Sequence, residues 1–147
     1  MNDQPSSLPE ILLVEDEPGD VYLVREAFKD FPCHLHLAED GREALAFLHR
    51  RGAHAGAHRP DLILLDFNLP CLDGREVLTD IKADPQLAII PVLVLTTSKA
   101  EVDILSAYQL HANCYITKPL ELDQFIAVIH HIQQFWLTVA RLPPTTE

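Results

Sequence analysis

Residues 62–74, Leu-Ile-Leu-Leu-Asp-Phe-Asn-Leu-Pro-Cys-Leu-Asp-Gly (LILLDFNLPCLDG), set the pattern for the whole chain. Leu62–Leu65 is an aliphatic run of strand length with no polar alternation, as expected of a strand buried on both faces. The run stops at a carboxylate, Asp66. The same construction recurs to either side. EILLV (Glu10–Val14) is followed by Glu15-Asp16-Glu17, PVLVL (Pro91–Leu95) by Thr96-Thr97-Ser98, and CYIT (Cys114–Thr117) by Lys118-Pro119. A weaker run, His34–Ala38, alternates Leu35 and Leu37 with histidines.

Helical spacing fills the intervals. Pro18 suits a helix start, Val24, Ala27, Phe28 and Phe31 recur within 20–31, and Pro32 ends that helix. Asp40-Gly41 turns the chain into an apolar face of Ala44, Leu45, Phe47 and Leu48. Val77, Leu78 and Ile81 share a face within 73–84, and Val102, Leu105 and Tyr108 within 99–110. The last and longest helix is expected over 122–139. Five strands alternating with five helices predict an α/β domain whose parallel sheet is covered on both faces.

Composition agrees with that class. The chain has 147 residues, 48% apolar and 22% charged, as in an ordinary globular domain. Lys and Arg number 11 against 22 Asp and Glu, a formal net charge of −11. Such a surface has no general attraction for phosphate backbones or anionic lipid, so nucleic acid and membrane are disfavoured partners. No apolar run reaches the roughly 20 residues of a bilayer span, and the polar N-terminus is no secretory signal. Cys33, Cys71 and Cys114 match neither a disulfide framework nor metal-ligand spacing and read as reduced thiols. A cytoplasmic location is the expectation, with residues 1–8 a flexible leader, 9–140 the domain and 141–147 a tail.

In an open parallel sheet the chemistry gathers beyond the carboxyl ends of the strands. Glu15, Asp16, Asp66, Thr96 and Lys118 then share one edge. Carboxylates crowded together repel and call for a cation. Mg²⁺ takes one or two carboxylates plus waters and phosphate oxygens. A lysine and a hydroxyl suit the other oxygens of a phosphoryl group, and a carboxylate can accept that group covalently. Each piece has a plainer reading: solvated acids at a helix start, hydroxyl caps, a lysine in an exposed turn. Their order on successive strands is what carries weight.

With ILLVEDEP, LILLDFNLPCLDG, PVLVLTTS and CYITKP in that order, the chain resembles the receiver domains of two-component response regulators over roughly residues 9–132. The resemblance implies a doubly wound, flavodoxin-like sheet of strand order 2-1-3-4-5 with five helices and an extended C-terminal helix. It makes Asp66 the phosphoacceptor. Asp16, Asp66 and the backbone carbonyl of Asn68 become direct Mg²⁺ ligands, and Glu15 acts through a metal-bound water. Lys118 pairs with the acceptor and then with the phosphoryl group, Thr96 donates its hydroxyl to a phosphoryl oxygen, and Tyr115 is the switch aromatic. The phosphoryl source is a sensor histidine kinase or a phosphotransfer protein.

Several features depart from the family's common pattern. Glu15 replaces the usual aspartate, and Thr97 stands where a smaller residue is frequent and is expected to crowd the phosphoryl site. The stretch His49–Pro60 (HRRGAHAGAHRP) is long. Its histidines sit among Arg50, Arg51 and Arg59, which oppose a metal, so it reads as a mobile loop facing an acidic partner. With the run-on FWLTVARLPP it resembles the single-domain regulators that serve phytochrome kinases. The last helix is apolar on a second side, through Val128, Phe135, Leu137 and Val139, and is expected to outrun the sheet. That predicts a homodimer through the last helix, strand five and the FWL segment. The rival readings are an aspartyl-nucleophile phosphatase and a binding-only pseudo-receiver. The first is weakened because Asn68 stands where such an enzyme needs an acid.

Overall fold

The computed structural model describes residues 8–144; most of the expected leader and the last three residues of the tail lie outside that range. The element order is β1 (Glu10–Val14), α1 (Pro18–Phe28), β2 (His34–Ala38), α2 (Gly41–Leu48), β3 (Leu62–Leu65), α3 (Gly74–Ala83), α4 (Pro85–Ala88), β4 (Val92–Thr96), α5 (Glu101–Gln109), β5 (Cys114–Thr117) and α6 (Leu122–Gln134). The strands form one parallel sheet of order β2-β1-β3-β4-β5. This is the doubly wound, flavodoxin-like topology that the resemblance implies.

Alternation along the strands builds the two halves of the core. Leu12, Val14, Ile63, Leu65, Val92 and Val94 point to one face, where Phe47 and Leu48 of α2 and Val77, Leu78 and Ile81 of α3 cover them. Ile11, Leu13, Leu62, Leu64, Leu93 and Leu95 point to the other, under Val24, Ala27 and Phe28 of α1 and Phe125, Ile129 and Ile132 of α6. Every side chain of β3 is fully buried. Complete burial of such a Leu or Ile stabilises the fold by about 2 kcal/mol, and this explains the absence of polar alternation in LILL.

Boundaries differ from the sequence reading in instructive places. β4 begins one residue later and extends to Thr96, because Thr96 pairs with Thr117 across the sheet. α1 stops at Phe28, three residues short. Asp84 caps a separate short helix, α4, its side chain accepting the Gln86 N–H at 2.9 Å, with Pro85 in the first turn. The last helix does not run straight to Val139. After Gln134 it widens into a π turn over Phe135–Val139, marked by Ala140 N–H bonding the Phe135 carbonyl at 2.7 Å. The extra residue in that turn re-aims the chain. Trp136, Leu137 and Leu142 fold back onto the α1/α6 side of the core, while Phe135 and Val139 stay exposed. Part of the second apolar side expected to project therefore lies on its own domain.

Gly74 sits where the β3–α3 loop passes closest to the strand end. A Cβ there would stand 2.4 Å from the Asp66 carbonyl oxygen and 2.6 Å from Phe67 Cα. Both are backbone atoms with nowhere to go. Gly74→Ala is expected to cost about 3 kcal/mol, read as a lowered midpoint in thermal unfolding.

Candidate functional site

The carboxyl ends of β1, β3, β4 and β5 meet at one edge, as their paired registers require. The β1–α1 turn is tight. Glu17 caps α1 by accepting the Gly19 N–H at 2.6 Å, and Pro18 takes the first helical position. This turn brings Asp20, in the first turn of α1, back over the sheet edge. After β3, Asp66 Oδ1 accepts the Asn68 N–H at 3.1 Å, a local turn that fixes the carboxylate. After β5, Lys118 N–H bonds the Thr96 carbonyl at 2.7 Å.

The Lys118 side chain then reaches three carboxylates. Its Nζ lies 2.5 Å from Glu15 Oε1, 2.8 Å from Asp20 Oδ2 and 3.2 Å from Asp66 Oδ2. Glu15, Asp66 and Lys118 are all buried, at 2%, 7% and 4% exposure. Burial alone would pull the ammonium down, but hydrogen bonds to Asp20 and Glu15 and the charge of Asp66 outweigh it. They hold Lys118 protonated, above the ordinary lysine range. Burial pushes the Glu15 carboxyl up to about 7, against the hydrogen bond from Lys118.

Carboxylate oxygens of Glu15, Asp16 and Asp66 lie within 4.8 Å of one another. A cavity of about 310 Å³ opens above them, and Asp16, Asp20, Asp66, Asn68, Thr97 and Lys118 are among its walls. Hard oxygen donors at a solvent-open rim fit Mg²⁺ or Mn²⁺ and suit neither a soft metal nor a closed structural site. Of the residues expected to hold the ion, Asp16, Asp66 and Asn68 line this cavity. Glu15 is different: it lies behind the cavity wall and makes the shortest of the three contacts to Lys118.

Thr96 is fully buried, and its hydroxyl lies 3.5 Å from Asn68 Nδ2, behind the cavity wall. Thr97, by contrast, lines the cavity and is exposed. Tyr115 is half-buried. Its hydroxyl donates to the Ser98 carbonyl at 2.9 Å and its ring meets Phe67 edge-on at 6.2 Å.

Two features escaped the sequence reading. One is Asp20, which looked like an ordinary acidic helix start. The other is a polar chain beside Tyr115. Ser98 Oγ donates to Asp103 Oδ2 at 2.5 Å, Asp103 pairs with Arg75, and the Arg75 guanidinium lies 4.6 Å from the centre of the Phe67 ring. The Ser98 hydroxyl, helped by Arg75, holds the Asp103 carboxyl below the ordinary range. In the sequence Ser98 reads only as a possible helix cap, and nothing local joins it to Asp103, five residues on.

The 49–60 insertion finds its acids at home. His49 Nε2 lies 2.7 Å from Asp80 Oδ1 and His54 Nε2 lies 4.0 Å from Glu43 Oε2, with the His54 ring edge-on to Phe47. His49 ties the end of α2 to α3, His54 packs on α2 itself, and His58 is exposed. All three cysteines are free thiols.

Residues 11–130 match the response regulator receiver domain family. Over 145 residues the chain is 46% identical to Response regulator Rcp1 of Synechocystis sp., covering 97% of this chain and 99% of that protein. Its fold superposes with a TM-score of 0.91 on the crystal structure of the phosphorylated cyanobacterial phytochrome response regulator RcpA. That match has 50% identity and covers 93% of this chain and 99% of the other. The Mn²⁺-bound form of Rcp1 gives a TM-score of 0.90 at 46% identity, over 92% and 99%.

Proposed function

The chain belongs to the response regulator receiver family, and from that premise we propose that it takes a phosphoryl group onto Asp66 from a sensor histidine kinase of phytochrome type, or from a phosphotransfer protein. Receivers are signalling proteins and not enzymes of the ordinary kind. The observation that carries the reading is Lys118: a buried ammonium held beside Asp66 at the floor of an open acidic cavity.

In the transfer, an Asp66 oxygen attacks phosphorus, the P–N bond to the donor histidine breaks, and its electron pair returns to the imidazole. Lys118 offers its N–H to the charge that gathers on the acceptor and the phosphoryl oxygens, so positioning and electrostatics supply the rate. Mg²⁺, held by Asp16, Asp66 and the Asn68 carbonyl, with Glu15 reached through water, would neutralise the incoming charge. To meet a phosphoryl oxygen the buried Thr96 hydroxyl must turn outward and draw the 96–98 segment with it. Tyr115 is bonded to the Ser98 carbonyl and follows that segment. The switch surface is then α5 and β5, with a bistable balance shifted by the phosphoryl group.

Incubation with a small acyl phosphate is expected to add one phosphoryl group per chain, read by intact mass, when Mg²⁺ is present and none when it is chelated. Uptake that ignores chelation would contradict the metal's role.

No helix among the described residues is long and apolar enough to cross a membrane, and the site is suited to the cytoplasm where such kinases present their phosphohistidine. Output then passes through protein contact, with no nucleic acid bound directly. Phe135 and Val139 are 53% and 62% exposed, and Leu120 at the end of β5 is 95% exposed. These residues and the half-buried edge strand β5 are the surface for a homodimer. Charging it with Val139→Asp is expected to turn a dimer into a monomer by light scattering at micromolar concentration; a wild-type monomer sinks the dimer.

A further inference from the structure

Lys118 spends all its donors on carboxylates. An ammonium has three N–H groups, and Glu15, Asp20 and Asp66 each stand in hydrogen-bond reach. The three contacts are unequal. Those to Glu15 and Asp20 are short, at 2.5 and 2.8 Å, and that to Asp66 is the longest, at 3.2 Å. Charge-assisted hydrogen bonds at the shorter distances are the strong ones. The lysine is thus fastened from β1 and from α1, and its loosest N–H is the one aimed at the acceptor.

We propose that Asp20 is a positioning residue for phosphoryl transfer: with Glu15 it clamps the Lys118 ammonium, leaving one N–H committed to Asp66 and then to the phosphoryl oxygen that replaces it as acceptor. The proposal rests on the reading of Asp66 as the phosphoacceptor. A lysine side chain is long and flexible, and fixing its tip before the reaction removes an ordering cost from the transition state. Asp20 reaches it because the Glu17 cap and Pro18 turn α1 sharply at the sheet edge. Asp20 differs from Glu15 in being partly open to the cavity, with 25% of its side chain exposed. It is therefore placed to hold Lys118 while touching neither phosphorus nor the acceptor.

The opposite effect is also physically available. Asp20 carries a negative charge on the wall of a cavity that must admit an anion. If repulsion were its main contribution, removing the charge would ease entry of the donor and speed the reaction. The sign of the change therefore decides between the two roles.

The test compares the full chain with Asp20→Asn, which is isosteric and neutral, and Asp20→Glu, which restores the charge. With acetyl phosphate and Mg²⁺, Asp20→Asn is expected to lower the saturated phosphorylation rate roughly tenfold and leave the half-saturating donor concentration within about twofold. Asp20→Glu should recover part of that rate. A second readout needs no phosphorylation. A nitrogen-15 NMR signal from a slowly exchanging Lys118 ammonium, assigned by its loss in Lys118→Arg, should appear in the wild type and in Asp20→Glu and vanish in Asp20→Asn. An unchanged or faster saturated rate in Asp20→Asn, or an ammonium signal that survives in it, overturns the clamp alone. Absence of uptake by the wild type overturns the acceptor reading and the clamp with it.

Discussion

Asp66→Asn is expected to take up no phosphoryl group from a small acyl phosphate under conditions where the wild type takes one, a loss of at least about a thousandfold. The substitution is nearly isosteric. The amide oxygen it introduces can still accept the Asn68 N–H, so the turn after β3 survives and the fold is unaffected. What disappears is the nucleophile. Glu15 and Asp16 do not replace it, because Glu15 is buried against Lys118 and Asp16 stands on the outer rim of the cavity. Intact mass of the two proteins, with peptide mapping of the labelled wild type, checks the assignment. Acid-stable, base-labile phosphate on Asp66→Asn would contradict it.

Lys118→Ala is the second large effect, and it acts on both rate and stability. Removing a preorganised donor from developing oxyanion charge costs about a hundredfold in rate. The stability consequence follows from what is left behind. Glu15 and Asp66 remain buried, with Asp20 beside them and no counter-charge. Leaving buried charge unpaired costs about 3 kcal/mol, unless protons neutralise it. Burial already raises the Glu15 carboxyl, and the variant loses the Lys118 hydrogen bond and charge that hold it down, so its folded value rises further above the unfolded one. Stability is then greatest when the pH lies below the unfolded value and is lost as pH rises through the folded one. The melting-temperature gap between wild type and Lys118→Ala should be widest at pH 7–8 and should narrow toward about pH 5. A gap that is constant with pH would mean that Lys118 contributes packing and not charge balance.

The sheet and its site were legible to different depths. β1 and β3 appear at the bounds their aliphatic runs mark, and in β3 burial on both faces leaves no room for a polar residue; β2 and β5, the partly exposed edge strands, also appear at the bounds read for them. Asp66 and Lys118 were legible because each follows such a run, and parallel strands carry their ends to one edge. Asp20 was not. Its meaning depends on the Glu17–Gly19 turn and on a lysine 98 residues away, and nothing local distinguishes it from an acid favouring a helix dipole. The π turn at Phe135–Val139 was hidden for a related reason. FWLTV continues the helical spacing, and only packing of Trp136 and Leu137 on the domain decides where the chain bends. The pairing of His49 with Asp80 was equally out of reach, since the two lie 31 residues apart along the chain.

Lys118 stands 103 residues from Glu15 and 52 from Asp66 along the chain. Translation therefore finishes the acceptor strand long before it delivers the lysine. A nascent chain halted ahead of β5 carries an aspartate with no ammonium beside it, and a copy whose last strand has not docked is in the same condition. If Asp66 is the acceptor as proposed, either would take up phosphoryl groups slower by the roughly hundredfold expected of Lys118→Ala. On that reading full competence arrives together with completion of the sheet, and the pool that responds fastest is the pool that has folded.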